Sequence, residues 1–190
     1  MSPVASASAD EADPRRRIAA LVENHHALVW RSLRRWGVSE CEADDASQQV
    51  FLVAYRRLAD IAPASERAFL LQTALRVAAD FRRSRERRRE EAGHDLAAVA
   101  DTTANPEDLL DKRRARALLD SALAAMATDL RTVFVLFEIE ELTMAEIAAV
   151  VDIPPGTVAS RLRRAREVFR ETVSKLAAAG SAGHQAGGTP

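Results

Sequence analysis

Apolar residues recur at intervals of three and four along most of this chain, which is the pattern of amphipathic α-helices. The first apolar stripe consists of Ile18, Leu21, Val22, His25, Leu28, Val29 and Leu33. It stops near Trp36 and Gly37, where a glycine suits the end of a helix. The pattern then predicts a second helix over residues 44–58, entered through the acidic run 40–45, and a third over residues 66–90.

The second half of the chain shows the same period after a polar interruption. A helix is predicted from about Pro106 to Met126, and a strongly apolar helix opens near Asp129. Alanine, leucine, arginine and glutamate dominate, and all four favour helix. We therefore expect an all-α protein with two small helical domains. The predicted organisation is a disordered N-terminus (1–13), a first domain (14–91), a flexible linker (92–105), a second domain (106–176) and a disordered tail (177–190).

Charge is balanced over the whole chain but unevenly distributed. The 190 residues carry 27 basic and 28 acidic side chains, for a net charge of −1. Between Arg76 and Arg89, however, seven arginines stand against only Asp80 and Glu86. A cluster of this density favours binding to nucleic acid, although cations also suit the C-terminal end of a helix.

Composition and motifs exclude several classes of protein. The single cysteine, Cys41, rules out a disulfide framework and a cysteine-rich zinc site. Because no apolar run approaches the roughly 18 residues of a membrane span and no secretory signal is visible, we expect a cytoplasmic protein without membrane insertion. No glycine-rich phosphate loop, metal-ligand cluster or nucleophile–base pair stands at a known spacing, so we expect neither an enzyme nor a bound cofactor.

The most informative segment lies near the end of the second domain. Thr143 and Glu146 fit a capping box, in which each side chain bonds the other residue's backbone N–H. A short turn and two successive prolines, Pro154 and Pro155, then separate a short helix from a longer one. Proline cannot continue a helix but can open the next one, where its missing N–H would be unpaired anyway. This layout predicts a helix-turn-helix.

The longer helix has two distinct faces. Its predicted inward face consists of Val158, Leu162, Ala165 and Phe169. Its polar face, roughly 120° away at about 100° per residue, consists of Thr157, Ser160, Arg161 and Arg164. Arginine can donate twice to guanine and hydroxyls can meet base edges or phosphates, so this face suits the DNA major groove. Arg163 and Arg166 point more sideways, where phosphates would lie. The alternative is a helical hairpin with a solvated basic face.

Both domains carry segments that are similar to one known family. In the second domain, residues 134–136, 142–148 and 153–166 together resemble region 4 of bacterial sigma factors of the extracytoplasmic-function (ECF) type. In the first domain, residues 42–51 resemble region 2.2 of that family, and residues 69–83 resemble regions 2.3 and 2.4. A helix-turn-helix alone is shared by many regulators, but this pair of regions in this order is much more specific.

The resemblance implies a mechanism. Region 2 would bind the β′ clamp helices of core RNA polymerase and melt the −10 promoter element. Region 4 would bind the β flap and read the −35 element, and the linker would span the two. The chain would then be a sigma factor that directs transcription initiation at a specific regulon. Free sigma factors of this family are commonly held inactive by an anti-sigma factor, so we expect such a partner here as well.

The resemblance also assigns roles to individual residues. Its match to region 2.2 implies contacts with core polymerase by Asp45, Gln48, Gln49 and Phe51. Its match to regions 2.3 and 2.4 implies contacts with −10 DNA by Arg76, Asp80, Arg82, Arg83 and Arg85. Its match to region 4 implies contacts with −35 DNA by Thr157, Ser160, Arg161, Arg163, Arg164 and Arg166. The loop at residues 59–65 corresponds to the family's pocket for a flipped −10 base. Asp152 stands where the family's turn usually has glycine, so we expect local backbone strain there.

Two other functions stay open on the sequence alone. A dimeric helix-turn-helix transcriptional regulator would need only the second domain, and it would bind palindromic half-sites about one DNA turn apart. An enzyme is the third hypothesis, although the chain displays no catalytic motif to support it.

Overall fold

The computed structural model describes residues 13–92 and 107–185, and every element in these two ranges is helical. The chain divides into two compact units, Met1–Leu96 and Ala97–Pro190. The expected all-α class is therefore confirmed. The expectations for residues 1–12, for the linker from residue 93 onward and for residues 186–190 fall outside the described ranges. No helix within the described ranges is long and apolar enough to cross a membrane.

The described part of the first unit, residues 13–92, consists of three long helices and two short 3₁₀ turns. The helices are α1 (Pro14–Arg35), α2 (Glu40–Arg56) and α3 (Glu66–Ala92), and the turns, Leu58–Asp60 and Pro63–Ser65, connect α2 to α3. All three helices pack on one another. Their shared core contains Leu21, Val29, Leu33, Trp36, Val50, Leu70, Leu71 and Ala78.

Helix α2 begins four residues earlier than the period of its apolar residues predicted. The acids Glu40 and Glu42 lie inside its first turn, and Ser39 stands at the N-cap in an extended conformation. Acidic side chains in a first turn interact favourably with the unpaired N–H groups and the helix dipole. The acidic run therefore belongs to the helix itself rather than leading into it.

The end of α1 is closed by a Schellman motif at the predicted glycine. Gly37 has φ 91°, a conformation that other residues adopt at a cost. The N–H of Val38 donates to the carbonyl of Leu33 at 3.1 Å, and the N–H of Gly37 donates to that of Arg34 at 3.0 Å. These bonds satisfy two of the last carbonyls of α1.

Arg82 of α3 satisfies a further carbonyl at this end of α1. Its Nη1 donates to the carbonyl oxygen of Trp36 at 2.6 Å, although the two residues are 46 positions apart in sequence. Burial lowers the pKa of the Arg82 guanidinium, against the opposing charge of Glu86. The group stays charged at neutral pH all the same, because an arginine pKa is so high. Arg82 therefore ties α3 to α1.

A second arginine, Arg17, closes the connection between α2 and α3. Its guanidinium donates to the carbonyl of Leu58 at 3.0 Å, to the carbonyl of Ile61 and to the carboxylate of Glu66 at 3.3 Å. One side chain near the start of α1 thus holds both ends of the first 3₁₀ turn and the first residue of α3. This role was not predicted from the sequence, because the three acceptors are 41 to 49 residues away.

Within residues 107–185, the described part of the second unit, there are four α-helices. They are α4 (Glu107–Ala124), α5 (Thr128–Phe134), α6 (Met144–Val151) and α7 (Pro155–Gln185), and a π-helical turn, Val135–Ile139, continues α5. Helices α4, α5 and α6 all pack against α7. The core of the unit contains Leu123, Met126, Val133, Leu136, Ile147, Val158, Leu162 and Ala165.

Helix α7 continues beyond the end that the sequence predicted. We expected it to stop at Leu176, with residues 177–190 disordered, but the helix runs on to Gln185. Three alanines follow Leu176 directly, and alanine is the strongest helix former. A single glycine such as Gly180 costs only about 1 kcal/mol within a helix. The small residues of this segment therefore extend the helix.

Replacing Arg82 should destabilise the first unit. We expect Arg82→Ala to lower the free energy of unfolding by about 1.5–3 kcal/mol, because the carbonyl of the buried Trp36 loses a charged donor. Both tryptophans, Trp30 and Trp36, lie in this unit, so their fluorescence during urea unfolding reports it. Arg83→Ala is the matched control, because Arg83 is exposed and its ion pair is with Asp80, one turn earlier on the same helix. Equal stability of the two variants would contradict the role of Arg82.

The pH dependence of unfolding should report the ion pair between Glu42 and Arg88, whose Nη2 lies 3.0 Å from Oε1 of Glu42. Burial alone would raise the pKa of the Glu42 carboxyl, but hydrogen bonds from Ser39 and Arg88 and the charges of Arg88 and Arg85 hold it below its ordinary value of 4.5. A lowered folded-state pKa stabilises the protein above that value, and the stabilisation is lost as the pH falls through the folded-state pKa.

We therefore expect Glu42→Gln to remove part of the acid sensitivity of the first unit. The variant should lose less stability than the parent protein between pH 7 and pH 3, by roughly 0.5–1 kcal/mol for a partly exposed pair. Arg88→Gln should have the same effect, whereas Arg87→Gln, at an exposed neighbouring position, should not. Parallel pH profiles for the parent and Glu42→Gln would rule this linkage out.

Candidate nucleic-acid interface

The predicted helix-turn-helix is formed by α6, a tight turn and α7. The capping box at the start of α6 is confirmed: Oγ1 of Thr143 accepts from the N–H of Glu146 at 3.3 Å, and Oε2 of Glu146 accepts from the N–H of Thr143 at 2.8 Å. At the start of α7, the carbonyl of Pro154 accepts from the N–H groups of Thr157 and Val158 at 2.9 and 3.1 Å. Both helices therefore begin at well-defined caps.

The turn between the two helices contains the expected strained residue. Asp152 has φ 55° and ψ 52°, the left-handed conformation that glycine adopts without strain. The following N–H, of Ile153, donates to the carbonyl of Ala148 at 3.2 Å, which closes the end of α6. Aspartate tolerates this conformation better than most residues, so the motif forms without a glycine.

Helix α7 is the second helix of the helix-turn-helix, and its inward face is the predicted one. Val158, Leu162 and Ala165 are buried, and the ring of Phe169 stacks on that of Phe134 of α5 with centroids 4.9 Å apart. Measured from the centre of this stripe at about 100° per residue, Ser160 lies about 170° away and Arg163 and Arg164 about 130° away. All three are exposed. They form the outermost face of α7, which we call the outer face.

Arg161 and Arg166 lie on the two flanks of α7, each about 70° from the buried stripe. Nε of Arg161 lies 3.4 Å from Oδ2 of Asp129 near the start of α5. Nε of Arg166 lies 2.6 Å from Oε1 of Glu138 in the π-helical turn. The sequence placed Arg161 on the same face as Ser160, but its side chain is only 33% exposed and turns toward α5.

On the outer face, Arg164 is paired as well. Its Nη1 lies 3.1 Å from Oε2 of Glu167, one turn further along α7. Thr157, at the start of the helix, is half-buried. Three of the arginines predicted for −35 DNA thus contact a carboxylate of their own unit: Arg161, Arg164 and Arg166.

In the first unit, the residues predicted for −10 DNA differ in exposure and in their contacts. Arg76, Asp80 and Arg83 are exposed on α3, and Arg83 pairs with Asp80. Arg85 is half-buried beside Glu42. Arg82 differs, because its guanidinium is used on the carbonyl of Trp36. The bond to α1 makes Arg82 part of the framework of this unit, and its contact with −10 DNA stays a prediction.

The residues predicted for core polymerase lie on α2. Asp45, Gln48 and Gln49 are exposed on one side of the helix. Phe51 is not, since only 8% of it is exposed and its ring stacks on His26 of α1 with centroids 6.3 Å apart. Phe51 therefore supports α2 from the core, and its contact with core polymerase stays a prediction.

Two residues on the exposed side of α2 were missed by the sequence reasoning. Leu52 is 46% exposed and Tyr55 is 53% exposed, and both lie on the same side of α2 as Asp45. Their positions outside the inward-facing period of α2 could have identified them. We call the set Asp45, Gln48, Gln49, Leu52 and Tyr55 the α2 strip. Large apolar side chains left exposed within a polar surface are typical of a protein–protein contact.

The loop that the resemblance assigns to a flipped base is the connection held by Arg17. Its residues Ala59, Asp60, Ala62, Pro63, Ala64 and Ser65 are exposed. Arg57, which is also exposed, lies 5.6 Å from the centroid of the Phe69 ring and pairs with Asp60 at 3.4 Å. Among the described residues no group of acidic, histidine or cysteine side chains is arranged to hold a metal ion.

Comparisons with known proteins agree with this architecture. A family model described as Sigma-70 region 2 matches residues 21–88, and one described as Sigma-70, region 4 matches residues 116–168. The two matches occur in order, one in each compact unit.

Two curated relatives are similar over most of the chain. The ECF RNA polymerase sigma factor SigE of Mycolicibacterium smegmatis is 31% identical over 156 residues, which cover 82% of this chain and 61% of the relative. The ECF RNA polymerase sigma-E factor of Escherichia coli K12 is 29% identical over 144 residues, which cover 71% of this chain and 75% of the relative. The chain thus spans about three fifths of the length of the first relative.

Solved structures share the fold. CnrH, solved in complex with the cytosolic domain of CnrY, aligns with a TM-score of 0.64 and 25% identity over 89% of this chain and 94% of that one. The sigma factor RpoE of Bartonella quintana, solved with the anti-sigma factor NepR, aligns with a TM-score of 0.66 and 20% identity over 84% and 96%. With both regions matched in order and ECF relatives aligned across them, the chain belongs to the ECF group of the sigma-70 family of RNA polymerase sigma factors.

Proposed function

We propose that this chain is a promoter-specificity subunit of bacterial RNA polymerase. It binds the core enzyme, reads the −35 and −10 elements, melts the −10 region and so directs initiation at a specific regulon. The single observation that carries this proposal is the ordered pair of region 2 and region 4 matches. The protein works in the cytoplasm, beside the polymerase, and catalyses no reaction of its own.

The outer face of α7 supports reading of the −35 element. Ser160, Arg163 and Arg164 project away from the buried stripe, on a helix opened by a tight turn. A recognition helix enters the major groove with its first turns, where arginine can donate to guanine and a hydroxyl can meet a base edge or phosphate. Thr157 stands at the leading end of the same helix. Arg161 and Arg166 flank it.

The exposed part of α3 supports binding at the −10 element. Arg76 and Arg83 are exposed, and Arg87, Arg88 and Arg89 follow near the end of the helix. Contacts between these guanidinium groups and phosphates release counterions from DNA, which drives binding. The loop at residues 59–65, held in shape by Arg17, is the proposed holder of an unstacked base, which costs a few kcal/mol to extrude.

The α2 strip supports docking on the β′ clamp helices of the core enzyme. Asp45 contributes a carboxylate, Gln48 and Gln49 contribute amides, and Leu52 and Tyr55 contribute exposed apolar area. A surface of this composition suits a partner that offers arginines around a small apolar contact. The second unit would in turn dock on the β flap.

An anti-sigma factor is the further partner that we propose. The sigma factor RpoE was solved with the anti-sigma factor NepR and CnrH with the cytosolic domain of CnrY, and both RpoE and CnrH share this fold. The exposed arginines and the exposed Leu52 and Tyr55 offer such a partner the surfaces that DNA and polymerase would otherwise use.

The alternative of a dimeric regulator is not favoured. It requires only a helix-turn-helix, and it leaves the region 2 match at residues 21–88 without a purpose. It also predicts a palindromic footprint, whereas a sigma factor protects two unlike elements.

Run-off transcription tests the proposal directly. The full chain is added to core RNA polymerase on a library of promoter fragments, and transcripts are mapped by their 5′ ends. We expect starts downstream of a common pair of unlike elements, absent when the core enzyme acts alone. If no fragment yields a start that depends on this chain, the proposed function is wrong.

Arg164→Ala should weaken recognition of the −35 element. We expect a loss of about 1–3 kcal/mol in promoter binding by the holoenzyme, because a side chain of the outer face no longer reaches the groove. Promoters with a scrambled −35 element should bind the variant and the parent alike. Assembly with the core enzyme, measured by gel filtration, should stay intact; an equal loss on scrambled promoters would contradict the assigned role.

Asp45→Ala should weaken assembly with core polymerase rather than recognition of the −35 element. We expect a several-fold weaker binding of core polymerase, with Leu52→Ala acting in the same direction because it removes an apolar contact in the same strip. Fluorescence anisotropy of a labelled chain titrated with core enzyme measures this. Asp60→Ala, an exposed acid in the loop that follows α2, is the control. Unchanged core affinity in both strip variants would remove α2 from the interface.

A further inference from the structure

We propose that Glu138 and Arg166 form a positioning pair that sets the orientation of α7 on DNA, so that Arg166 acts on promoter recognition without contacting DNA itself. This inference rests on the proposed reading of the −35 element by α7. It assigns to Arg166 a different role from the phosphate contact that its charge and position in the sequence predicted.

The contacts of Arg166 carry the inference. Its Nε lies 2.6 Å from Oε1 of Glu138, a shorter distance than those of the Arg161–Asp129 and Arg164–Glu167 pairs. Its Cζ lies 5.3 Å from the ring centroid of Phe137, the preceding residue. A single guanidinium thus meets a carboxylate and an aromatic face presented by adjacent residues. Charge-assisted hydrogen bonds and cation–π contacts are both directional, so together they fix the side chain.

The π-helical turn makes this arrangement possible. The N–H of Glu140 donates to the carbonyl of Val135 at 2.9 Å, five residues back instead of four, and the turn Val135–Ile139 is correspondingly wider than an α-helix. Phe137 and Glu138 lie in this turn and both meet Arg166. The local departure from α-helix geometry therefore lies at the contact with the recognition helix.

The position of Arg166 on the flank of α7 indicates that its pair with Glu138 controls rotation of α7 about its own axis. Arg166 lies about 70° from the buried stripe on one flank, and Arg161, bound to Asp129, lies about 70° from it on the other. The buried stripe sets which side of α7 faces α5 and leaves only small rotations about the helix axis. Two ion pairs on opposite flanks resist those rotations, and rotation decides where Ser160, Arg163 and Arg164 point.

The sign of one substitution distinguishes positioning from simple electrostatics. Removing a negative charge beside a DNA-binding surface normally strengthens DNA binding, because phosphates are repelled less. If Glu138 orients α7 through Arg166, Glu138→Gln must instead weaken binding of the −35 element. We expect it to weaken by about three- to tenfold, the range of a partly exposed ion pair reinforced by a cation–π contact. Glu167→Gln is the matched control, and we expect it to bind more tightly because its carboxylate competes for Arg164.

The measurement uses holoenzyme assembled from the full chain and core polymerase. The probe is a double-stranded −35 fragment selected from a randomised library by the parent holoenzyme, and affinity is measured over a range of salt concentrations. Each phosphate contact contributes about 0.9 to the salt slope. We expect Arg166→Ala to lose affinity with an unchanged slope. A slope reduced by about one would show a phosphate contact and overturn the proposal.

Charge reversal provides the decisive variant. In the double variant Glu138→Arg with Arg166→Glu the pair can re-form with its partners exchanged, and we expect affinity within about twofold of the parent. A phosphate-binding Arg166 would not be rescued, since position 166 then carries a carboxylate. Should the reversed pair fail to fold by circular dichroism, the sign of the Glu138→Gln effect still decides: equal or tighter binding overturns the proposal.

Failure of this inference differs from failure of the proposed function. If the chain is not a sigma factor, the parent holoenzyme selects no −35 sequence and no probe exists to measure. If only the positioning role is wrong, the parent selects a probe and Glu138→Gln binds it at least as tightly as the parent does.

Discussion

The packing of α7 on α5 is the contact on which recognition by the second unit depends. A buried stripe of Val158, Leu162 and Ala165, continued by the stacked rings of Phe169 and Phe134, leaves the opposite side of α7 in water. Since the helix has 3.6 residues per turn, fixing one side fixes the other. The core therefore determines which positions of α7 face outward, and the side chains at those positions determine what the outer face can bind.

Some arginines of this protein stabilise the fold and others are exposed on the surface, and composition alone does not distinguish the two groups. Some bind the fold together: Arg17 and Arg82 donate to backbone carbonyls more than 40 residues away, where helices and turns end with unpaired acceptors. Others, such as Arg76 and Arg163, stand exposed. The five donors of a guanidinium suit both tasks. An arginine-rich helix therefore indicates nucleic-acid binding as a whole without identifying which member of the cluster meets DNA.

The reach of sequence reasoning follows from the range of the interactions involved. The capping box at Thr143, the glycine that ends α1 and the inward face of α7 depend on neighbours within a few residues, and all were predicted. The left-handed turn at Asp152 was predicted too, with the help of the family resemblance. What escaped prediction depends on distant partners: the bond from Arg82 to Trp36, the burial of Phe51 against His26, and the clamp of Arg17 on its loop. The end of α7 at Gln185 was not predicted for a different reason, because a segment rich in small residues is compatible with disorder and with a helix.

If the second unit binds DNA as proposed, that binding exchanges one anion for another rather than filling an empty site. Arg161, Arg164 and Arg166 each already contact a carboxylate, on Asp129, Glu167 and Glu138. A phosphate gains only the difference between its own attraction and that of the carboxylate it displaces, so the net gain at each such arginine is smaller than for a solvated one. An arginine that positions α7, as proposed for Arg166, gains nothing by the exchange, because leaving its carboxylate also releases the helix. The same reasoning makes any partner that presents carboxylates at these spacings a competitor of DNA, which is a physical route by which an anti-sigma factor can hold such a surface without resembling a nucleic acid.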